Sequence, residues 1–422
     1  MAPVYGVQDI RSLLRGHAAL ADRRGRVSRT VVLLGLVSMF TDISSEMISA
    51  ILPLYLVLVL GFTPFQFGVV DGYQRGASAL VSLASGLVAD RRRRHKEVAV
   101  TGYGLSAVCK LLYLAAGSSF SALGAVVLAD RVGKGIRTAP RDALIALSSR
   151  REDLGMAFGV HRALDTTGAM LGPLLAFGLL ALAPADFDAI FVVSFFVAVI
   201  GVGILALLVD GHRERVEVDR DARISLAGAA RLVAERRFRS ILVAAGVLGV
   251  VTISDAFLYL GLQRQYEIDM TLFPLLFVFT ALAFMVLAVP AGWLADRIGR
   301  GRVLIGGYCL LIMLYASLLL PSGGPVAFVA YIVAFGAFYA ATDGVINALA
   351  AAALPREAQA TGIALVLTVG SLSRLVGSIV FGALWTAASL ETAVTVFGAG
   401  LVVGIALAAV ALRRGRRPAA RR

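Results

Sequence analysis

The chain has 422 residues, of which 59% are hydrophobic, and a formal net charge of +13. Soluble domains carry about 45–50% apolar residues, so this composition, with a mean hydropathy of +0.84, is typical of a protein that crosses a lipid bilayer many times. The basic residues lie in short loops and tails, which leaves no soluble basic surface for a nucleic acid. Cys109 and Cys309 lie in apolar segments and offer no disulfide framework.

Twelve apolar segments are long enough to cross about 30 Å of hydrocarbon. The odd-numbered connections between them are short and almost free of Lys and Arg, whereas the even-numbered connections and both tails are rich in arginine. Basic loops stay on the cytoplasmic side, so we expect a multi-pass protein of the cell inner membrane with both termini in the cytoplasm. The segments lie near residues 31–60, 65–88, 97–117, 121–147, 155–182, 187–209, 240–263, 271–294, 302–320, 325–352, 359–386 and 391–412.

The sixth connection is the longest and the most charged, and it divides the chain into two halves of six segments. The N-terminus lacks a short apolar region followed by a small-residue cleavage site, so it is interpreted as a cytoplasmic arm and not a signal peptide. Residues 225–239 fit either an amphipathic helix on the inner membrane surface or a solvated linker. The predicted parts are an arm at 1–30, an N-terminal bundle at 31–209, a linker at 210–239, a C-terminal bundle at 240–412 and a basic tail at 413–422.

The two halves carry similar short sequences at equivalent places. Residues 86–91 (Gly-Leu-Val-Ala-Asp-Arg) follow the second segment, and residues 292–297 (Gly-Trp-Leu-Ala-Asp-Arg) follow the eighth. Residues 134–142 align without a gap to residues 335–343, which pairs Asp142 with Asp343. A six-plus-six repeat is typical of a secondary transporter whose substrate site lies between the halves.

Three motifs make the chain resemble the major facilitator superfamily over nearly its whole length. The loop motif G-x-x-x-D-R-x-G-R is complete in the C-terminal half, while its N-terminal copy has Arg93 where the family has glycine. The fourth-segment motif R-x-x-q-G is present with Lys134 in place of the glutamine. The matching residues are Gly86, Asp90, Arg91 and Arg94, then Gly292, Asp296, Arg297, Gly299 and Arg300, and in the fourth segment Arg131 and Gly135. The resemblance implies an all-α membrane protein with twelve transmembrane helices in two pseudo-symmetric six-helix bundles, alternating access, and loop motifs that gate the cytoplasmic side.

The third motif, G-x8-G-x3-G-P, occupies the fifth segment. It is present as Gly159, Gly168, Gly172 and Pro173, while the two glycines that often follow are Ala176 and Phe177 here. In the superfamily this motif is associated with proton-coupled antiporters that export drugs and other small molecules. Small residues four apart let the helix approach a neighbour closely, and the proline permits a bend, so we expect Gly168, Gly172 and Pro173 to serve gating.

The fourth segment carries more charge than a lipid-facing helix tolerates. A central Arg or Lys costs about 2.5–3.5 kcal/mol on an insertion scale, so these groups need a bundle interior or a wet cavity. Arg131, Gly135, Thr138 and Asp142 form one helical stripe, which we expect to face a polar pathway with Arg131 deepest. Arg137 and Arg141 lie nearer the end of the segment, where snorkelling to the headgroups is the simpler expectation.

Asp42 and Glu46 lie one helical turn apart in the first segment, beside Ser45 and Ser49. Two carboxylates in a low-dielectric region repel each other and lose solvation, which favours a proton on one of them. We therefore predict proton coupling through Asp42, Glu46 and Arg131 and leave open which carboxylate titrates. The alternative is that each acid is a fixed structural partner of an arginine.

The remaining charges inside the membrane fall into pairs and single residues. Asp71 and Arg75 are four residues apart and are predicted to form a structural pair. Arg374 stands alone near the middle of the eleventh segment and needs an acidic partner, for which Asp343 and Asp255 are the candidates.

The resemblance places the first, fourth, seventh and tenth helices around a substrate cavity. The residues predicted to face the substrate are Lys134, His161, Asp165, Asp255, Tyr339, Asp343, Asn347 and Arg374. His161 is either a titrating group or a structural histidine near the cytoplasmic end. A cavity of mixed charge with aromatic residues nearby suits a small amphipathic or zwitterionic solute better than a simple sugar.

The predicted function is secondary active transport by alternating access, as proton-coupled export of a small amphipathic organic molecule. The alternatives are proton-coupled uptake of a polar metabolite and, less well supported because the chain has only four histidines, a metal or metal-chelate carrier. No phosphate-binding loop, nucleophile–base motif or soluble domain points to an enzyme. We expect a monomer in the lipid bilayer without a cofactor, driven by the proton gradient.

Overall fold

The computed structural model describes residues 27–92, 94–150, 153–210, 232–321, 323–355 and 358–416, without the side chains of residues 79–80, 83–92, 360 and 414–416. The regular elements of these ranges are all helical. Most of the predicted arm, linker and tail lies outside the described residues. The helices are α1 Arg29–Leu54, α2 Pro64–Arg92, α3 His95–Ala116, α4 Phe120–Leu147, α5 Leu154–Leu182, α6 Phe187–Gly203, α7 Arg236–Val250, α8 Asp255–Tyr266, α9 Phe273–Ile298, α10 Arg300–Leu318, α11 Gly324–Ala351, α12 Gln359–Ala387 and α13 Leu390–Arg416.

Helices prevail because hydrocarbon contains no water, so each backbone N–H and C=O must be satisfied inside its own segment. Side chains in the short connections cap the N-termini of several helices. Ser119 accepts a hydrogen bond from Ala122 N at 3.4 Å before α4, and Asp186 accepts one from Ala189 N at 3.0 Å before α6. These residues satisfy N–H groups that the first turn of a helix leaves free.

A helix lies at each of the twelve predicted segments, which confirms the all-helical membrane fold. Among the described residues, ten spans are long and apolar enough to cross a membrane. α2 and α4 are not among these ten, and both carry charged residues within their length. They nevertheless pack inside the bundle, α2 against α4 and α12, and α4 against α3.

The seventh predicted segment lies within one apolar span, Arg236–Tyr266, and this span contains a break in its helix. Two helices, α7 and α8, share it, and residues 251–254 between them are not helical. The local reason is a run of β-branched residues, Val250 to Ile253, followed by Ser254 as the N-cap of α8.

Helix packing repeats between the two halves. In the first half α1 packs on α5 and α6, α2 on α4, and α3 on α4 and α6; in the second, α7 packs on α12 and α13, α9 on α11, and α10 on α11 and α13. Gly135 and Gly336 lie at equivalent crossings. A Cβ at Gly135 would lie 2.9 Å from the Ser78 carbonyl oxygen, and one at Gly336 would lie 2.7 Å from Phe284 N. The repeat predicted from the sequence is therefore also a repeat of packing.

α1 and α5 approach each other closely, as the fifth-segment glycines predict. A Cβ at Gly172 would lie 2.8 Å from both the Ile43 carbonyl oxygen and the Glu46 Cβ. A Cβ at Gly168 would overlap the backbone of Met39. The absence of side chains at these glycines lets the backbones of α1 and α5 come together.

The two halves meet mainly along two helix pairs, α2–α12 and α5–α9, and α1 adds smaller contacts with α8 and α9. We call the end of the bundle that carries residues 60–63, 117–119 and 388–389 the short-loop end, and the opposite end, with residues 148–150 and 299, the basic end. Toward the short-loop end, Phe65 N donates to Thr386 Oγ1 at 2.8 Å across the α2–α12 contact. Gly68 lies against the backbone of α12 in the same contact.

An aromatic cluster closes the short-loop end between the halves. The ring of Phe257 on α8 lies 4.9 Å from that of Phe67 on α2, and 4.8 Å and 5.7 Å from those of Phe381 and Trp385 on α12, measured between centroids. Edge-to-face arrangements at these separations are favourable. The aromatic cluster is therefore built from helices of both halves.

We predict that Gly68→Ala weakens this closure. The added methyl group would lie 2.6 Å from the Ser378 carbonyl oxygen, and overpacking of this kind costs about 1–3 kcal/mol. The expected result is a lower thermal unfolding midpoint of the purified protein. In a background with Cys309→Ser, a water-soluble thiol reagent should also label a cysteine at buried Phe381 (F381C) faster.

Gly178→Ala in α5 is the matched control, because a Cβ there has open space. Alanine is favoured over glycine in a helix by about 1 kcal/mol, so this variant should unfold at the wild-type temperature or above. Equal unfolding midpoints and labelling rates for the two variants would contradict the packing argument.

Candidate functional site

The candidate site begins at the break between α7 and α8. Tyr315 of α10 holds this break: its hydroxyl accepts a hydrogen bond from Ile253 N at 2.6 Å and donates one to the Val251 carbonyl oxygen at 3.2 Å. At the C-terminal end of α7, the Thr252 hydroxyl donates a hydrogen bond to the Leu248 carbonyl oxygen at 2.7 Å. Non-helical backbone at membrane depth is tolerated where it is buried in protein or lines a cavity.

A cavity of about 300 Å³ opens beside the break. Most of its wall comes from the C-terminal half, while Arg75 of α2 and Arg162 of α5 extend into it from the N-terminal half. A second cavity of about 190 Å³ shares Asp255, Tyr339 and Asp343 with the first. The polar residues that line the first cavity are Arg75, Arg162, Thr252, Ser254, Asp255, Tyr308, Tyr339, Thr342, Asp343, Asn347 and Arg374. The space thus lies at the interface of the two halves, where the repeat predicts it.

A chain of charges joins the halves at this cavity. Arg75 lies 3.6 Å from Asp71 on its own helix and 3.5 Å from Asp255 on α8. Tyr339 donates a hydrogen bond to Asp255, and Ser378 of α12 donates one to Asp71. The predicted Asp71–Arg75 pair is confirmed, and the structure adds a second acid to it from the other half.

Arg374 and Asp343 line the same cavity without a partner of this kind. Among the described residues, neither side chain has an ion pair within 4.0 Å or a hydrogen bond. The sequence predicts Asp343 or Asp255 as the acidic partner of Arg374. Arg374 lines the same cavity as both acids, but it forms no ion pair with either of them. One turn beyond Asp343, the buried Asn347 Oδ1 also lacks a hydrogen-bond partner.

A second polar cluster lies in the N-terminal half, between α1, α4 and α5. Asp42 of α1 and Asp165 of α5 are neighbours in this cluster. Arg137 lies 3.7 Å from Asp42, and Arg141 lies 3.8 Å from Asp165 and 2.9 Å from Asp142. We call Asp42 and Asp165 the carboxyl pair.

The expectation that Arg137 and Arg141 snorkel to the headgroups is wrong. Arg137 is 3% exposed, and its guanidinium lies 4.6 Å from the centroid of the Tyr103 ring. Arg141 donates to Ser38 Oγ at 3.3 Å in addition to its acidic partners. The close approach of α1 and α5 supplies acids that the sequence of α4 alone does not reveal.

His161 is buried at the edge of this cluster. Its Nε2 lies 2.9 Å from Ser38 Oγ, which also contacts the Tyr103 hydroxyl at 3.4 Å. This arrangement is that of a histidine with a fixed hydrogen-bond partner. Arg162 beside it is 81% exposed at its side chain and reaches Asp165 at 3.5 Å.

Arg131 lies in a third group, which includes a residue that the sequence reasoning missed. Lys110 of α3 is completely buried and lies 3.0 Å from one oxygen of Asp130, while Arg131 lies 2.8 Å from the other. Lys110 also approaches Ser45 Oγ at 3.5 Å. A lysine in an otherwise apolar third segment was the available signal. Arg131 is therefore not the deepest point of an open pathway, because Asp130 and Lys110 enclose it.

Glu46 and Lys134 lie near these groups without a direct ion pair among the described residues. Glu46 contributes to the electrostatic environment of Arg131, and Lys134 to that of Asp42. Glu46 also faces Gly172 across the α1–α5 contact.

The prediction of one cavity lined by the first, fourth, seventh and tenth predicted segments needs correction. These segments correspond to α1, α4, α7 with α8, and α11. Asp255, Tyr339, Asp343, Asn347 and Arg374 line the 300 Å³ cavity as predicted. The other predicted residues, Lys134, His161 and Asp165 together with the coupling candidates Asp42, Glu46 and Arg131, are absent from its lining. The reason is the tight α1–α5 contact, which turns the polar residues of these helices toward α4.

The loop motif of the C-terminal half connects parts of that half. Arg300 lies 3.2 Å from Asp296 and donates to the Ala348 carbonyl oxygen of α11 at 3.0 Å. Gly299 adopts a positive φ of 102°. The guanidinium carbon of Arg297 lies 3.7 Å from the centroid of the Trp293 ring. Gly292 has open space around it. The side chains of the first copy, Gly86, Asp90 and Arg91, lie outside the described residues, so the gating role of both copies stays a prediction.

The described residues contain no group of three or more His, Cys, Asp or Glu side chains that could hold a metal ion.

Comparison with known proteins gives the family. The sequence profile of the Major Facilitator Superfamily matches residues 34–378 and 241–422. An uncharacterised MFS-type transporter of Methanocaldococcus jannaschii is 31% identical over 372 residues, which are 85% of this chain and 89% of that protein. An uncharacterised protein of Mycobacterium tuberculosis is 38% identical over 154 residues, which are 36% of this chain and 37% of that protein.

Solved structures share the fold at low sequence identity. The nucleoside transporter NupG superposes with a TM-score of 0.73 at 14% identity, over 93% of this chain and 100% of that chain. A bacterial homologue of the human lysosomal transporter Spinster, in an inward-facing and unoccupied conformation, gives 0.70 at 15% identity, over 93% and 98%. Together with the profile match and the duplicated motifs, these findings establish that the chain is a multi-pass transporter that belongs to the major facilitator superfamily.

Proposed function

We propose that this transporter exports a small amphipathic organic molecule in exchange for protons, by alternating access. The observation that carries the proposal is the carboxyl pair. Asp42 and Asp165 come from different helices and are neighbours beside Arg137 and Arg141 of α4, and two carboxyl groups side by side in a low-dielectric region favour a proton on one of them.

The surroundings of the carboxyl pair support its use as a proton carrier. When both acids are ionised, Arg137 at 3.7 Å and Arg141 at 3.8 Å stabilise the two negative charges. When one acid is protonated, the pair is held by its own hydrogen bond. Both states thus have local partners, which a group that gains and loses a proton in every cycle needs.

α5 connects the carboxyl pair to the cavity. Arg162 lies 3.5 Å from Asp165 and also lines the 300 Å³ cavity. Protonation of the pair weakens the hold of Asp165 on Arg162 and changes the charge available at the cavity wall. This gives a physical route by which proton and solute compete, as exchange requires.

Alternating access is supported by the two contacts between the halves. The aromatic cluster around Phe257 closes the short-loop end, which is the outer side under the predicted orientation. Asp296 contacts only Arg300 of its own half among the described residues. The proposed cycle opens the aromatic cluster while the basic end closes. Export as the direction is supported by the glycine–proline motif of α5.

We predict that Asp42→Asn and Asp165→Asn each abolish solute accumulation driven by a pH gradient, because an amide cannot exchange the proton. Downhill counterflow of the same solute should persist. The measurement uses proteoliposomes with an entrapped pH dye and a panel of lipophilic cations, zwitterions and organic anions. Glu46→Gln and Arg131→Ala are measured in parallel, because the sequence predicts proton coupling through Glu46 and Arg131 as well as through Asp42.

Asp188→Asn is the matched control, since Asp188 is an exposed acid at the short-loop end. It should retain gradient-driven accumulation. If both carboxyl-pair variants also retain it, the proton site lies elsewhere. Antiport accumulates solute on the acidic side of the membrane, so accumulation on the alkaline side would replace export with proton-coupled uptake.

We predict that Arg75→Gln damages the transporter more than Asp255→Asn does. Arg75 is the one cation between two acids, so its removal leaves Asp71 and Asp255 facing each other unpaired, whereas Asp255→Asn leaves the neutral Asp71–Arg75 pair. The expected result is a larger fall in unfolding midpoint and a slower counterflow for Arg75→Gln.

Arg75→Lys keeps the charge and should recover part of both losses. Equal effects of Arg75→Gln and Asp255→Asn would show that the charge chain between the halves does not control stability or access.

A further inference from the structure

The proposed function leaves the class of solute open, and the inference below rests on it. The 300 Å³ cavity contains three cations, Arg75, Arg162 and Arg374, and two acids, Asp255 and Asp343. Their contacts divide them into groups that are already paired and groups that are not. We propose that the cavity binds a small organic zwitterion, with its carboxylate at Arg374 and its ammonium group at Asp343 and Asn347.

Three of the five charges are occupied by the protein itself. Arg75 pairs with Asp71 and Asp255 at 3.6 Å and 3.5 Å, and Asp255 also accepts a hydrogen bond from Tyr339. Arg162 pairs with Asp165 outside the cavity at 3.5 Å. These groups hold the walls together and leave Arg374 and Asp343 for a ligand.

Arg374 is open on its cavity side. The preceding turn of α12 contributes Gly370, which also lines the cavity, and a Cβ there would lie 3.8 Å from Arg374 Nη2. The absence of a side chain at Gly370 leaves the guanidinium accessible. A guanidinium presents paired N–H donors that match the two oxygens of a carboxylate.

Asp343 and Asn347 face the same space from α11, one helical turn apart. Asn347 Oδ1 is buried and has no hydrogen-bond partner among the described residues, and a buried acceptor without a donor is unfavourable. An ammonium group carries three donors and no acceptor. It can therefore satisfy the Asp343 carboxylate and the Asn347 oxygen together, which a second carboxylate cannot.

The distance between the two free charges selects for a ligand that carries both signs. Arg374 and Asp343 line the same cavity but form no ion pair within 4.0 Å, so they do not neutralise each other directly. A solute with a single charge would leave one of them unpaired in a low-dielectric space. The cavity volume of about 300 Å³ limits the solute to a small molecule, and Tyr308 and Phe338 supply aromatic walls for its apolar part.

The test is equilibrium binding to the purified full-length transporter in detergent, without a gradient. The probes are L-phenylalanine, 3-phenylpropanoate and 2-phenylethylamine, which share one aromatic body and differ in charged groups, together with the neutral proteinogenic amino acids. In the wild type, the zwitterion that binds best should bind about tenfold or more tighter than its matched anion and its matched amine.

Single substitutions separate the two ends of the ligand. Arg374→Gln should reduce zwitterion and anion binding and leave amine binding unchanged, while Asp343→Asn should reduce zwitterion and amine binding and leave anion binding unchanged. Arg264→Gln and Asp188→Asn, exposed residues at the short-loop end, are the matched controls and should bind like the wild type.

Three results would overturn the inference: a matched anion or amine that binds as tightly as the zwitterion, no binding by any zwitterion of the panel, or equal loss for all three probes in both variants. The wild-type comparison decides the matter even if a variant fails to fold. Binding uses no gradient, so zwitterion preference without pH-driven transport would sink only the coupling proposal. Coupled transport of an anion or amine alone would sink only this inference.

Discussion

A charge inside a bilayer has no water to pair with, and this constraint places the ionisable residues of the central helices. Lys110 and Arg131 share Asp130 in the interior of the N-terminal half. Arg75 shares its charge between acids of both halves. In each case at least one ion pair joins two helices, so the packing of helices and the pairing of charges are one problem. A helix that moves must exchange its partners, which links conformation to protonation and to ligand.

In the proposed cycle, the two polar regions divide proton binding and solute binding between the halves. The carboxyl pair lies at the close contact of α1 and α5, where glycines remove side-chain bulk. The cavity lies beside the broken seventh span, where unpaired charges are available to a solute. Arg162 reaches both, through Asp165 on one side and the cavity wall on the other. Spatial separation with a charged connection allows proton and solute to influence each other without sharing one pocket.

The sequence was sufficient for the elements and for part of the site. Hydrophobic length located the helices, because a spanning segment must be long and apolar, and the C-terminal site residues Asp255, Tyr339, Asp343, Asn347 and Arg374 do line one cavity. Lys110 escaped notice because a single charge in an apolar segment gives no periodic pattern. The break at residues 251–254 escaped because hydropathy does not change there, although β-branched residues before Ser254 carried the signal.

By itself, the sequence determined that the chain spans a membrane as two related halves and which residues are too polar to face lipid. Those properties depend on composition and spacing along one segment at a time. Only the tertiary structure decided which charges meet: Asp42 with Asp165 and Arg137, Arg75 with Asp255, and Arg374 with neither acid in contact. Such pairings join residues from distant parts of the chain, and they depend on small differences in helix rotation and approach that periodicity along one helix does not fix.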